Sequence, residues 1–247
     1  MDELTLIVDP ALRDLLTARH RVRAALGDLR VAADPTSTVG HVVQSVGVPL
    51  TEVGSLVLDG AVTGATDRAR PGRLAVLPAA RPQPLPTQPA RFLLDVHLGS
   101  LARLLRVLGL DVAYDRAADD DALVAWAAAQ RRVLLTQDRG LLRRRAVGHG
   151  AFVRGAGSVA QLDDVLDRFA PDLAPWTRCP ACNALLEPAE RSQVAHLLKP
   201  GTRRSYSTFA RCPACGRVYW RGAHARRLDA VVAHAQEVVA ARRASRG

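Results

Sequence analysis

The chain reads as α/β in three parts. A small α+β domain comes first, then a domain of alternating strands and helices on a parallel sheet, then a cysteine-rich ribbon. Three observations carry this reading. A proline-rich break follows the first part, strand-like and helix-like segments alternate after it, and two CPAC pairs stand toward the C-terminal end.

In the first part, "LTLIV" (4–8) and "LRVAA" (29–33) are apolar runs of strand length. "PTSTVGHVVQSVGV" offers Ser37 or Thr38 as a helix cap, an apolar face at Val39, Val42, Val43 and Val46, and Gly47 as the stop. Asp59-Gly60 between apolar runs marks a tight turn, and "RLAVLP" (73–78) closes as a strand. Two strands, a helix and further strands is the order of a β-grasp domain, here 1–78. "PAARPQPLPTQPA" then holds five prolines and no acid, so 79–90 reads as a semi-rigid spacer.

From residue 91 the alternation begins. "RFLLD" (91–95) is a buried-type strand, and "LGSLARLLRVLG" follows as a helix. That helix sets Leu101, Leu104, Leu105 and Leu108 on one face, Arg103 and Arg106 on another, and Gly109 at its end. "LDVAYD" (110–115) is the second strand. "DDDALVAWAAAQ" (119–130) is a helix whose acids suit its positive end. "RVLLTQD" gives a third strand and "GAFVRG" (150–155) a fourth, before a helix over 158–170 capped by Ser158. Such alternation implies a parallel sheet over 91–175. A zinc ribbon over 176–228 and a helical tail over 229–247 complete the expected plan.

Ligands of open parallel sheets bind at the carboxyl ends of the strands. Asp95 ends the first strand, Asp138 follows the third, and Asp119, Asp120 and Asp121 open the helix between. Right-handed crossovers bring such positions toward one edge. Several carboxylates there repel unless neutralised, and hard oxygen donors suit magnesium or manganese. On the pattern alone the plainer reading leads: an Asp at a strand end is common, and these acids would only cap loops and a helix.

Cys179, Cys182, Cys212 and Cys215 form two CxxC pairs, a spacing that fits tetrahedral zinc, with a redox role as the competing reading. The long gap between the pairs predicts a hairpin or flexible insert around 192–210. His196 and His224 are read as non-ligands, because four thiolates close the site.

The net charge is +10, yet residues 1–90 hold nine Arg and nine acids, so the excess lies beyond them. A basic region beside a neutral one suggests an anionic polymer, most simply nucleic acid. Coding bias competes as an explanation, since only Lys199 among 34 basic residues is Lys. Arg139, Arg143, Arg217 and Arg221 are candidate RNA contacts, with Tyr219 and Trp220 as stacking surfaces; Trp220 packing the ribbon is the alternative. No apolar stretch reaches membrane-spanning length, and "MDELTLIVDP" lacks a signal-peptide core, so a cytoplasmic protein is expected.

"FLLDVHLGSLARLLRVLGLDV", "DDDALVAWAAAQRRVLLTQDRGLLRR", "CPACN" and "CPACGRVYWRGAH" resemble the PIN-like RNase family named after the C-terminal part of the Mut-seven exonuclease, over about 91–228. "TSTVGHVVQSVGVPLTEV" and the "LDG" turn are similar to the ubiquitin-like module that often precedes that domain. The resemblance implies a PIN-like nuclease with a magnesium or manganese site on Asp95, on Asp120 or Asp121, and on Asp138, with Thr136 orienting nearby. Asp120 is preferred because it stands three before Leu123, as the family's D-x-x-[IL] pattern requires; Asp115 and Asp119 are further candidates.

The expected function is a metal-dependent ribonuclease whose zinc ribbon helps bind RNA. A non-catalytic RNA-binding protein on the same scaffold is the alternative. The β-grasp domain runs into a linker instead of ending in a free Gly-Gly, which argues against sulfur-carrier chemistry and leaves protein or RNA docking. The resemblance also leaves a homodimer open.

Overall fold

Leu4, Leu6 and Val8 are buried while Glu3 and Ile7 face out, the period-two pattern of a strand with one face on a core. The computed structural model describes residues 3–27, 29–32, 34–222 and 225–245, so Ala33 of the expected second strand lies outside it. In chain order it places β1 (Glu3–Val8), a 3-10 turn (Pro10–Leu15), α1 (Ala18–Leu26), β2 (Leu29–Ala32) and α2 (Val39–Ser45). A second 3-10 turn (Leu50–Glu52) precedes β3 (Val53–Leu58), β4 (Ala61–Thr63) and β5 (Gly72–Pro78).

These strands form one sheet in the order β2-β1-β5-β3-β4. β1 and β5 run parallel, and the other pairings are antiparallel. This is the β-grasp arrangement. The β3–β4 hairpin turns on Asp59 and Gly60, both at positive φ (50° and 84°), as its two-residue turn requires. Thr38 caps α2, accepting from His41 N at 3.2 Å. Gly47, at φ 117°, lets the end of α2 meet the segment at residues 15–17; a Cβ there would stand 2.6 Å from Thr17 N. The first 3-10 turn and α1 have no counterpart in the sequence reading. α1 buries none of its residues, so no apolar stripe announces it.

Residues 79–90 carry neither helix nor strand. Then come β6 (Arg91–Leu94), α3 (Gly99–Val107), β7 (Asp111–Tyr114), α4 (Asp120–Gln130), β8 (Val133–Thr136), α5 (Arg139–Leu142), β9 (Gly150–Phe152) and α6 (Ser158–Phe169). β6 and β7 pair in parallel, as do β8 and β9. Gly157, at φ 89°, is the cap of α6, so Ser158 is its first residue and not the expected cap. The remaining elements are β10 (Glu187–Ala189), α7 (Arg191–Val194), α8 (Pro200–Ser205), β11 (Phe209–Arg211), β12 (Val218–Tyr219) and α9 (Ala225–Ala244).

By packing, the chain divides into two units: 1–83 with 119–130 and 134–152, and 84–118 with 131–133 and 153–247. In the first, the β-grasp core of Leu4, Leu6, Leu12, Leu15, Val43 and Val76 also takes up Phe152 from the end of β9. In the second, Phe92 of β6 meets Phe169 of α6 edge-on at 5.5 Å. α9 lies along α6, burying Val232, Ala235 and Val239. His234 reaches Asp163 at 2.8 Å and Arg243 reaches Asp172 at 2.6 Å, with Arg242 on Asp167. Gly109 ends α3 at φ 82°, where a Cβ would collide with the Ala174 carbonyl, so only Gly fits.

Between the cysteine pairs β10 and β11 pair antiparallel, so the expected hairpin is present, and the stretch that joins them is helical, not flexible coil. α7 and α8 close over a small core of Val194, Leu198 and Phe209. No helix among the described residues is long and apolar enough to cross a membrane.

Candidate functional site

β8 ends at Thr136, whose side chain is fully buried. Thr136 Oγ1 accepts from Asp138 N at 2.8 Å, and Asp138 Oδ1 accepts from Gly140 N at 2.6 Å to cap α5. The threonine thus fixes the backbone of an exposed carboxylate. The cap uses one oxygen of Asp138, so capping and metal ligation are compatible.

α4 opens on three acids with separate roles. Asp119 caps the helix, its Oδ1 accepting from Ala122 N at 2.8 Å. Asp120 and Asp121 both meet the Arg144 guanidinium, Asp120 at 3.3 Å. The Asp120 side chain is 49% exposed and that of Asp121 90%. Asp120 therefore sits against the protein, whereas Asp121 stands in solvent. Asp115 lies in an exposed turn and accepts from Ala117 N at 2.9 Å. In the other unit Asp95 follows β6, is 7% exposed, and accepts from Val96 N at 2.6 Å. Burying a carboxylate is costly unless donors or a cation meet it. Oxygen donors of this kind match the chemistry of magnesium and manganese.

The four cysteines come together, with all their sulfurs within 4.8 Å of one another. Cys179 lies 3.7 Å from Cys215 and Cys182 lies 3.4 Å from Cys212. Those separations are far beyond a disulfide. They approach the ~3.8 Å between sulfurs around a tetrahedral ion with Zn–S bonds of about 2.3 Å, so the set fits zinc. Both knuckles turn alike. Asn183 N bonds the Cys179 carbonyl and Gly216 N the Cys212 carbonyl, each at 2.9 Å. Asn183 and Gly216 hold matching left-handed φ values of 72° and 73°.

The Tyr219 hydroxyl lies 3.0 Å from Cys179 Sγ, so its polar end serves the sulfur. Burial raises the Cys179 pKa, but hydrogen bonds from Tyr219 and from the Cys182 and Ala181 backbone win and hold it at about 6. Burial pushes Cys182 up to about 12.

Asn183 does a job that Gly could not. Its Oδ1 accepts from Val112 N at 3.0 Å, and its amide donates to Asp111 Oδ1 at 2.9 Å. Arg106 completes the clamp. It is 5% exposed and donates to Val112 O and Ala181 O, each at 2.9 Å, and to Pro180 O at 3.3 Å. Both backbone groups of Val112, on the terminal strand β7, are thereby satisfied by side chains. The sequence had set Arg106 on the polar helix face with Arg103; the structure buries it. Burial lowers the Arg106 pKa, opposed by its charge interaction with the nearby Cys182 and Cys179. Asp111 is raised by burial, but bonds from Arg132 and Asn183 hold it below the usual carboxylate range. Replacing Arg106 with Ala removes three carbonyl contacts inside the protein and is expected to cost about 3 kcal/mol in urea unfolding. Asn183→Gly keeps the turn, loses only the amide, and should cost about 1 kcal/mol.

The candidate RNA contacts differ in their surroundings. Arg217 is exposed, as is the Arg143 side chain, while the Arg143 carbonyl accepts from Gln44 at 3.2 Å. Trp220 is 39% exposed, its ring 6.5 Å from Phe209. Arg221 stacks 5.5 Å over Trp176 and pairs with Asp229. Arg139 turns its guanidinium to the carbonyls of Asp14, Leu15 and Leu16. His196 is exposed on the insert, and His224 lies outside the described residues.

Two family models match the sequence. The one described as the Mut7-C RNAse domain covers residues 90–232, and the one described as Mut7-C ubiquitin covers 1–84. No curated protein and no solved structure matches the chain.

Proposed function

Because the chain belongs to the Mut7-C RNase family and carries the Mut7-C ubiquitin domain ahead of the RNase domain, we propose that it is a magnesium- or manganese-dependent ribonuclease. The RNase-domain match over 90–232 is the observation that carries this reading. Asp95, Asp120 and Asp138 are the proposed metal ligands, with Asp121 beside them. They stand after a parallel strand, in the first turn of a helix, and after a second parallel strand. Such an ion activates water and stabilises the oxygens of a phosphodiester under attack. The protein's part is to hold carboxylates in place, and Thr136 does this for Asp138 through its backbone bond of 2.8 Å.

The four cysteines hold a structural zinc in this reading. The ribbon offers Arg217, Trp220 and Arg221 to RNA, and Arg143 adds a further cation. The competing reading, an RNA-binding protein without catalysis, draws on the Arg144 pairing with Asp120 and Asp121, which offsets one of their two charges without metal. End-labelled single-stranded RNA and DNA incubated with the full chain separate the two. RNA cleavage with manganese or magnesium that EDTA abolishes is the expected result. Binding without cleavage under every metal condition would establish the competing reading.

A further inference from the structure

The β-grasp domain holds the backbone around Asp138 by contacts from several of its own elements. The first comes from the 3-10 turn Pro10–Leu15. Arg139 Nη1 lies 3.3 Å from the carbonyls of Asp14 and Leu15 and 2.9 Å from that of Leu16. Carbonyls at such a turn's end have no partner within it and carry partial negative charge, so a guanidinium fits them. They are also held in place. Arg21 donates to the Asp14 and Leu16 carbonyls at 3.0 and 3.1 Å, Thr17 N bonds Val46 O at 3.0 Å, and Leu15 and Leu16 are fully buried.

A second tie starts from α2, where Gln44 Nε2 donates to the Arg143 carbonyl at 3.2 Å just after α5. A third comes from the turn before β3. Glu52 is 3% exposed and accepts from Phe152 N at 2.8 Å. A buried carboxylate aimed at a backbone N–H at a strand's end is a costly arrangement unless that bond is made. The fourth is apolar: Phe152 packs against the β-grasp core. These ties bracket the stretch from Asp138 to the end of β9.

We propose that the β-grasp domain positions the Asp138 loop, and that Arg139 is the positioning residue through which it acts. This rests on the ribonuclease reading, in which Asp138 is a metal ligand. The chain runs directly from the capping Asp138 into Arg139, so pinning the guanidinium fixes the turn that aims the carboxylate. The domain is then a built-in brace of the nuclease. Arg139 is used inside the protein and is not a contact for RNA.

The test compares the full-length chain with Arg139→Ala and Arg139→Lys. Two quantities are read: manganese-dependent cleavage of a labelled single-stranded RNA, split into kcat and KM, and amide hydrogen exchange across 138–145. For Arg139→Ala, kcat falls by about tenfold or more, as for loss of a group that orients a ligand, while KM stays within about twofold. Exchange across the segment quickens, and Arg139→Lys, which still donates to carbonyls, recovers part of both. Glu52→Leu and Glu52→Gln form a second pair: Leu quickens exchange at Phe152, and Gln, which keeps an acceptor, does not. A rise in KM with kcat unchanged would make Arg139 an RNA contact and overturn the proposal, as would exchange equal to wild type in Arg139→Ala or faster exchange without loss of kcat. If the wild type cuts no RNA, the ribonuclease reading fails on its own. The exchange comparison then decides whether the domain holds the loop.

Discussion

Asp138→Asn is expected to fold and to keep the proposed zinc, but to lose roughly a thousandfold of the proposed metal-dependent RNA cleavage, about 4 kcal/mol of transition-state stabilisation. Asn is the informative replacement. The cap on α5 needs only an oxygen to accept from Gly140 N, at 2.6 Å in the structure, and an Asn side chain supplies one. Stability should therefore move by less than about 1 kcal/mol. What Asn cannot supply is a negative charge for a divalent ion. Asp95→Asn follows the same logic, because an amide oxygen still meets Val96 N, now at 2.6 Å. It also removes a charge from a site only 7% exposed.

The middle position of the proposed site gives the same experiment its resolution. Asp120 and Asp121 are sequence neighbours on one Arg144, but their side chains are 49% and 90% exposed. Asp120→Asn should lose activity on the scale of Asp138→Asn, and Asp121→Asn by less than about tenfold. Equal losses would mean that both acids hold the ion. Full activity in Asp95→Asn and Asp138→Asn, measured on folded protein, would remove the carboxylates from the reaction.

Legibility of the sequence followed the range of the interaction concerned. β1, α2, the Asp59-Gly60 turn and β6 were readable because each rests on a local pattern: alternation, a cap, a positive-φ pair, a buried run. The CPAC pairs were readable because metal geometry dictates the spacing. α1 was not, since a helix that buries no side chain leaves no periodicity. Arg106 misled because its helical phase puts it beside Arg103, and what buries it is Pro180 and Ala181, 74 and 75 residues away. Asn183 carried a hint in retrospect: where one knuckle uses Gly216, the other has Asn, the residue that tolerates the same backbone and adds a polar side chain. Arg139 looked like a surface cation for RNA. Its carbonyl partners at residues 14–16 lie 123 to 125 residues back, and a backbone carbonyl leaves no mark in sequence.

Zinc removal is expected to unfold the ribbon and to spare the rest. The ribbon's own apolar core amounts to Val194, Leu198 and Phe209, with Ala189, Tyr206 and Val218 against it. Burying three such side chains stabilises by about 5 to 9 kcal/mol, which cannot order the stretch between 179 and 219 against its conformational entropy. A structural zinc contributes on the order of 10 kcal/mol, so the ion decides whether this part folds. A strong chelator or Cys179→Ser should therefore abolish amide protection from 179 to 219, while the β-grasp sheet keeps its protection. Tyr219→Phe is the graded version. It removes one hydroxyl 3.0 Å from Cys179 Sγ and should weaken zinc about tenfold without unfolding anything when zinc is in excess. Thiol labelling reads the same event. Cys182 and Cys215 are exposed and Cys179 and Cys212 buried. A zinc-loaded chain should therefore resist alkylation at all four, and the chelated chain should react at all four, because unfolding exposes the buried pair. Reaction confined to Cys182 and Cys215 after chelation would mean that Arg106 and Asn183 hold the first knuckle without metal, and the zinc would then be an addition to a ribbon already folded.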